Sequence, residues 1–279
     1  MPMIDSPQNA QVKLYRSLLS GKGRRQSGLC PLEGVRLIET ALDSGADLRT
    51  VYVCPDLVRG PRVPELIDRL RDRGAEILEL SQRAFISMAD TEQPQGLAAT
   101  AAIRYERLEN LSSTSPACYL WLYELREPGN LGTMLRTAAA FSVAAVVFAG
   151  DCTDPYSPKA IRASAGAVFA VPLVRASWDR AMQWATAESV QTVASTPSAN
   201  LSCHEAGYAQ RVALIVGSEA HGLPEHLLTA TDLQVKIPMS SKVESLNAGV
   251  AAGILLYTIV SADNRSGPDR PDTGCDGEK

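Results

Sequence analysis

Aromatic residues are scarce in this chain, at 5%, which argues against a broad aromatic binding face and against an all-β recognition module. Positive charge is not in excess either. The 27 Lys and Arg against 31 Asp and Glu leave a net charge of −4, so nucleic-acid contact would have to come from a local patch. Histidine occurs three times, and the six cysteines (Cys30, Cys54, Cys118, Cys152, Cys203, Cys275) form no C-x-x-C pair and have no histidine at zinc-ligand spacing. That pattern argues against a metal site and reads as free thiols in a reducing compartment. No apolar run approaches the ~20 residues that span a membrane, and Met1 to Gln11 has no basic region followed by an apolar run. A cytoplasmic protein with no membrane partner is therefore expected. G-x-G-x-x-G and G-K-[ST] are also missing, which argues against a dinucleotide fold or a P-loop.

What is present is length and alternation. With 279 residues, 45% of them apolar, the chain can bury a sizeable core and suggests two domains. Residues 33–103 alternate helical and strand patterns (EGVRLIETALDSGA, TVYVC, PELIDRLRDRGAEILEL, SQRAFISMAD, QGLAATAAI), which describes a small α/β unit, taken as 1–103. RYERLENLSSTSP, within 104–116, reads as a linker or edge element. Beyond it, YLWLY, AAVVFAG, FAVPLV, VQTVAS, VALIVG and LQVKIP are nearly all apolar, as strands of a buried parallel sheet are. Helical stretches fall between them at 131–141, 158–168, 178–188 and 245–260, giving a second α/β domain over 117–262. Residues 263–279 mix Asp, Gly, Pro, Arg and Ser without periodicity and read as a disordered tail.

Several stretches carry chemical possibilities. Lys13, Arg16, Lys22, Arg24 and Arg25 fall in a segment with no acid between Asp5 and Glu33; it is either a phosphate-binding patch or a solvated helix face. PGNLGTMLRTAAAF follows a strand and opens a helix. Backbone amides there, freed by Gly129 and Gly132, suit an anion, and Arg136 follows one turn later. LIVGSEAHGL ends a strand at Gly217, where glycine lets a ligand approach the backbone and Glu219 could hold a ribose or a cation. In VKIPMSSKVESLNAGVAAGILLY, Pro238 stops a strand and a polar loop leads into a helix rich in small residues. Each block alone also reads as a plain turn, strand exit or helix cap. The last helix is apolar on nearly every side, so burial is expected, against its own sheet or a second copy.

Taken together, the blocks resemble the SpoU (TrmH-type) family of RNA ribose 2'-O-methyltransferases, within the SPOUT superfamily. The likeness rests on Asn130, Gly132 and Arg136 as N-x-G-x-x-x-R, on Gly217, Ser218, Glu219 and Gly222 as G-S-E-x-x-G, and on Ile237 to Met239 followed by Ser245 to Asn247 as I-P-M and S-L-N. DPYSPKAIRASAGAVFAVP resembles the family's connecting stretch, and NAQVK, GRR, LEGVRLIETAL and QPQGLAA resemble its ribosomal-protein-like substrate-binding domain. Two positions depart from the pattern: Glu124 stands where Asp is common and Ser142 where Gly is common.

The resemblance implies an α/β SPOUT domain, mostly parallel with helices on both faces and a deep trefoil knot. It also implies S-adenosylmethionine as cofactor, held by Gly217, Ser218, Gly222, Ile237, Met239 and Leu246, and a homodimer built on the last helix. The substrate implied is RNA, 23S ribosomal RNA ahead of transfer RNA, with antibiotic self-resistance or a catalytically silent RNA-binding role as further readings. Arg136, Asn130, Glu219, Ser245 and Asn247 would form the catalytic set, and Lys13, Arg16, Lys22, Arg24 and Arg25 would meet the RNA. A guanidinium is a poor base at neutral pH, so Arg136 is read as holding a phosphate and the developing alkoxide rather than removing the proton. His221 is the one histidine inside a block, and the resemblance assigns it no role.

Overall fold

A computed structural model of the protein describes residues 3–111, 115–240 and 242–263. The N-terminal part runs α1 (Ala10–Leu18), α2 (Gly21–Ser27), β1 (Leu29–Glu33), α3 (Val35–Asp43), β2 (Leu48–Val53), α4 (Arg62–Asp72), β3 (Glu76–Glu79), α5 (Gln82–Met88) and β4 (Leu97–Ala102). Its four strands are ordered β1-β4-β2-β3, with β2 and β3 parallel and β4 antiparallel to both β1 and β2. β1 has no clear strand pattern in the sequence because Pro31 interrupts it. On an edge strand, opposite Thr100 on one side only, a missing N–H is tolerated.

The C-terminal part runs β5 (Ala117–Tyr123), α6 (Pro128–Ala140), β6 (Ala145–Ala149), α7 (Pro158–Ala163), β7 (Leu173–Ala176), α8 (Trp178–Ala187), β8 (Gln191–Ser195), β9 (Leu201–Ser202), β10 (Arg211–Val216), α9 (Glu225–Leu228), β11 (Leu233–Lys236) and α10 (Ala248–Asp263). All seven strands pair in parallel, in the order β7-β6-β5-β10-β8-β11-β9. β5, β6 and β10 are buried almost throughout, which is why their sequences are continuous apolar runs. One face carries α6, α7 and α10 over Leu120, Met134, Leu135, Ile161 and Leu255; the other carries α8 and α9 over Tyr119, Trp121, Trp184 and Ile215. β10 lies between β5 and β8, so the chain returns to the middle of the sheet late in the sequence.

Two sequence expectations change in detail. The helix expected over 158–168 stops at Ala163, because Ala165 and Gly166 take φ of 50° and 88°. β7 starts at Leu173 and not at residue 169, because Ala167–Phe169 form a 3-10 turn. The tail expected from Asp263 lies outside the described residues apart from Asp263, which ends α10. Segment 104–111, expected as a linker or edge element, lies against the main sheet: Glu106 bridges Val174 and Leu108 is buried in the cluster beneath it.

The two sheets share a core. One buried cluster takes Ile38, Leu70 and Ala101 from the first and Leu120, Met134 and Ile161 from the second. Gly166 sits so close to Thr40 that a Cβ there would lie 3.0 Å from it. Buried Arg24 adds a polar clasp. Its Nε and Nη2 reach Asp154 Oδ2 at 2.8 Å each, and its Nη1 donates to the Leu18 and Leu19 carbonyls. Arg24 is therefore corrected from the RNA-facing set, its guanidinium being 5% exposed and fully engaged inside the fold. Lys13, Arg16, Lys22 and Arg25 remain on the outer surface of α1 and α2.

Candidate active site

A cleft of about 660 Å3 opens at the carboxyl edge of the main sheet, above the ends of β8, β10 and β11. This is the edge where open α/β sheets bind ligands, and the size lies within the range for small molecules. The three sequence blocks meet there. Asn130, Gly217, Ser218, Glu219, Gly222, Ile237, Met239, Ser245, Leu246 and Asn247 all line it.

The second block makes the cleft's wall by a tight turn. Ser218 and Gly222 exchange N–H to C=O bonds of 3.1 and 2.9 Å, and Gly222 takes φ of 63°. A Cβ on Gly217 would stand 2.2 Å from the Gly222 carbonyl carbon, so this closure requires glycine at 217. The third block ends in a helix cap: Asn247 Oδ1 accepts from the N–H of Gly249 at 2.9 Å and of Val250 at 3.2 Å. α10 consequently begins at Ala248, three residues later than its sequence pattern suggests.

Glu219 joins the blocks. Its Oε2 accepts the Arg126 N–H at 3.1 Å, and its Oε1 accepts the Glu127 N–H and Asn130 Nδ2, both at 3.0 Å. Asn130 Oδ1 in turn accepts Asn247 Nδ2 at 2.8 Å. Glu219 thus holds the two amides just before α6, while the Gly129 N–H, which the sequence offers to an anion, is taken by Glu127 Oε1 at 3.2 Å. Burial pushes the Glu219 carboxyl up, but hydrogen bonds from Asn130 and from the N–H groups of Arg126, Glu219 and Glu127 outweigh it and hold the group below the usual carboxylate range. Gly132 has a different part from the one its motif suggests. It is buried in α6, where a Cβ would lie 2.3 Å from that of Ala163, so it serves helix packing and not ligand approach.

The two departures from the family pattern fall at left-handed backbone positions. Glu124 and Ser142 take φ of 51° and 53°. Ser142 closes α6 in a left-handed cap, its N–H on Ala139 and the Val143 N–H on Ala138, a position glycine occupies without strain.

Arg136 is the exception among the catalytic candidates. It is exposed on α6 and does not line the cleft. Its helix packs on α10, where Thr133 touches the position of Gly249, and Phe141 meets Tyr257 with ring centroids 6.0 Å apart. Val250, Ile254 and Tyr257 leave an exposed apolar stripe on α10 beside it. His221 lines the cleft and its N–H reaches Ser218 Oγ at 3.3 Å.

Sequence reasoning missed Ser195, Thr196 and Pro197, which follow β8 and form the far side of the cleft, and also Leu223 and Ala251. The TPS turn after an apolar strand was visible, but only the strand order brings it beside Gly217. As a receptacle, the cleft combines Val216, Leu223, Ile237 and Leu246 with the hydroxyls of Thr196, Ser218 and Ser245. That mixture fits a nucleoside-bearing molecule with one flat apolar part and one polyhydroxyl part. No group of His, Cys, Asp and Glu fit to hold a metal ion occurs among the described residues, and no helix among them is long and apolar enough to cross a membrane.

Comparison with known proteins agrees with this arrangement. The profile of the SpoU rRNA methylase family matches residues 117–257, and that of the MRM3-like substrate-binding domain matches 9–99. The chain belongs to the SpoU rRNA methylase family. It is 32% identical over 257 residues to the 23S rRNA (guanosine(2553)-2'-O)-methyltransferase RlmP of Bacillus subtilis, covering 92% of this chain and 98% of that one. An AdoMet-bound rRNA methyltransferase from Sinorhizobium meliloti superposes with a TM-score of 0.85 at 29% identity, covering 94% of this chain and 98% of the other. The SpoU methyltransferase AviRb of Streptomyces viridochromogenes, in complex with AdoMet, gives 0.83 at 26% identity over 94% and 100%.

Proposed function

We propose that this protein uses S-adenosylmethionine to methylate a ribose 2'-hydroxyl of 23S ribosomal RNA, as a homodimer. The observation that carries the reading is the Glu219–Asn130–Asn247 chain of hydrogen bonds, which closes three distant blocks into one cleft mouth. The match to RlmP along both halves of the chain supports ribosomal over transfer RNA. The reading includes a trefoil knot at this edge, for which the insertion of β10 between β5 and β8 speaks.

When bound, S-adenosylmethionine supplies an electrophilic methyl group on a sulfonium. Gly217, Ser218, Gly222, Ile237, Met239 and Leu246, which line the cleft, would hold it. Asn130, Glu219, Ser245 and Asn247, at the mouth of the cleft, would position the acceptor ribose. Of these, Glu219 acts by rigidity: its three hydrogen bonds fix the 126–130 loop before substrate arrives. Arg136 keeps its charge at any working pH, so it orients the adjoining phosphate and stabilises the developing alkoxide.

Dimerisation completes the site. Arg136 lies outside the cleft of its own chain, exposed on α6, the helix that packs against α10 with its exposed stripe of Val250, Ile254 and Tyr257. Pairing of two such stripes covers apolar surface and lets Arg136 act in the partner's cleft. The exposed Lys13, Arg16, Lys22 and Arg25 on α1 and α2 provide the basic patch that the net charge does not. Mapping 2'-O-methyl marks in total RNA from cells with and without this gene tests the proposal. Loss of one mark in 23S rRNA is expected; loss in a transfer RNA would move the substrate, and no changed mark would refute it.

A further inference from the structure

A second cavity, of about 280 Å3, opens on the same edge of the main sheet at the carboxyl ends of β6 and β7. β6 is separated from β10, which carries the donor cleft, by β5 alone, so about two strand spacings, ~10 Å, lie between them. Arg126, in the loop between β5 and α6, ties the two cavities together. Its N–H is held by Glu219 at 3.1 Å, and its guanidinium pairs with Asp151 on the wall of the second cavity at 2.8 Å.

The lining has a definite chemistry. The Arg175 guanidinium lies over the Tyr105 ring, its Cζ 4.5 Å from the centroid, lines the cavity and joins no ion pair among the described residues. Held that way, an exposed guanidinium offers a planar stacking face together with directed N–H donors. Around it stand the Asp151 carboxylate, the hydroxyls of Thr153 and Ser177, and the buried Phe148 ring. Gly150, at φ of 79°, leaves backbone bare at the rim, where a Cβ would meet Glu124 at 3.3 Å and the Tyr123 ring at 3.5 Å. The cavity is too small for a second cofactor-sized molecule and too polar for a lipid. A stacking plane ringed by mixed donors and acceptors is what an unstacked nucleobase requires.

We propose that this cavity is a base subsite, receiving the nucleobase of a nucleotide that flanks the methylated one. The inference rests on the reading that the substrate is ribosomal RNA. It assigns Arg175 to specificity and leaves methyl transfer to the first cleft.

The test is ultraviolet crosslinking of the full-length protein to an unmodified 23S rRNA transcript carrying 4-thiouridine, with peptide and nucleotide mapping, beside 2'-O-methyl mapping of the same transcript. An adduct on peptides containing residues 148–153 or 175–177 is expected, within two nucleotides of the methylated ribose. Arg175→Ala and Arg175→Lys should each lower that adduct at least fivefold, while adducts on α1 and α2, cofactor affinity and melting temperature stay put. Absence of the adduct from the wild type overturns the proposal, as does an adduct to a distant nucleotide or one indifferent to both substitutions. An adduct lowered by both substitutions but formed without ribose methylation would refute the reading of rRNA methylation and leave the cavity a base-binding site with no methylated neighbour, which overturns the flanking assignment.

Discussion

Replacing Glu219 with glutamine leaves shape almost unchanged and removes the charge on which three hydrogen bonds converge. Bonds to a carboxylate contribute ~1.5–3 kcal/mol each, against ~0.5–1.5 for neutral ones. With its one oxygen in the Oε1 position, glutamine would keep Glu127 N–H and Asn130 Nδ2 as neutral partners. Its amide nitrogen would then face the Arg126 N–H, donor against donor. The sum approaches ~3–4 kcal/mol, and because Glu219 is exposed, solvent screening reduces it by about half. A loss of ~1.5–2 kcal/mol in loop order corresponds to roughly 10- to 30-fold in rate. The assay is labelled methyl transfer to a 23S rRNA transcript, with cofactor affinity measured separately by calorimetry. Glu219→Gln should lower kcat/KM for RNA by that factor with cofactor Kd within threefold. Activity within twofold of the wild type, or a loss confined to cofactor Kd, would refute the reasoning. The pH dependence has a defined sign. Since the Glu219 pKa is lowered in the folded protein, its contribution is present above the free value of ~4.3 and lost as pH falls through the folded value. Amide chemical shifts of Arg126 and Glu127 should therefore move on acidification below ~4.3 in the wild type and not in Glu219→Gln.

Other perturbations read different parts of the account. Arg24→Ala leaves Asp154 facing an empty place between the sheets and should destabilise by about 2–4 kcal/mol, lowering Tm by roughly 5–10 °C in a melting experiment. An unchanged Tm would mean the clasp is idle. Ser142→Gly relieves a left-handed serine at the α6 cap and should stabilise by about 0.5–1 kcal/mol, seen as a small rise in Tm. A fall in Tm would contradict that. Ile254→Glu puts a charge in the α10 stripe and should shift the mass measured by light scattering from dimer to monomer, with methyl transfer lost. A monomeric wild type would remove the homodimer from the reading.

The parallel sheet was legible because β5, β6 and β10 are buried on both faces and so read as apolar runs. β1 was not, since Pro31 is tolerated only for an edge reason that pairing reveals. Likewise the motifs located Glu219 and Asn130, yet nothing in their spacing said that one carboxylate ties down the turn before α6. Arg24 misled because a run of basic residues looks uniform in sequence, whereas helix periodicity turns one of them inward to Asp154. Ser195 and Thr196 were invisible as site residues, since their place beside Gly217 depends on β8 and β10 being neighbours.

The most direct test of the whole reading is transfer of a labelled methyl group from S-adenosylmethionine to an unmodified 23S rRNA transcript by the purified protein, with the product nucleotide identified after digestion. A single ribose 2'-O-methyl group is expected with the wild type, and none with Arg136→Ala, which should still bind the cofactor. A methyl group found on a base, or full activity in Arg136→Ala, would contradict it.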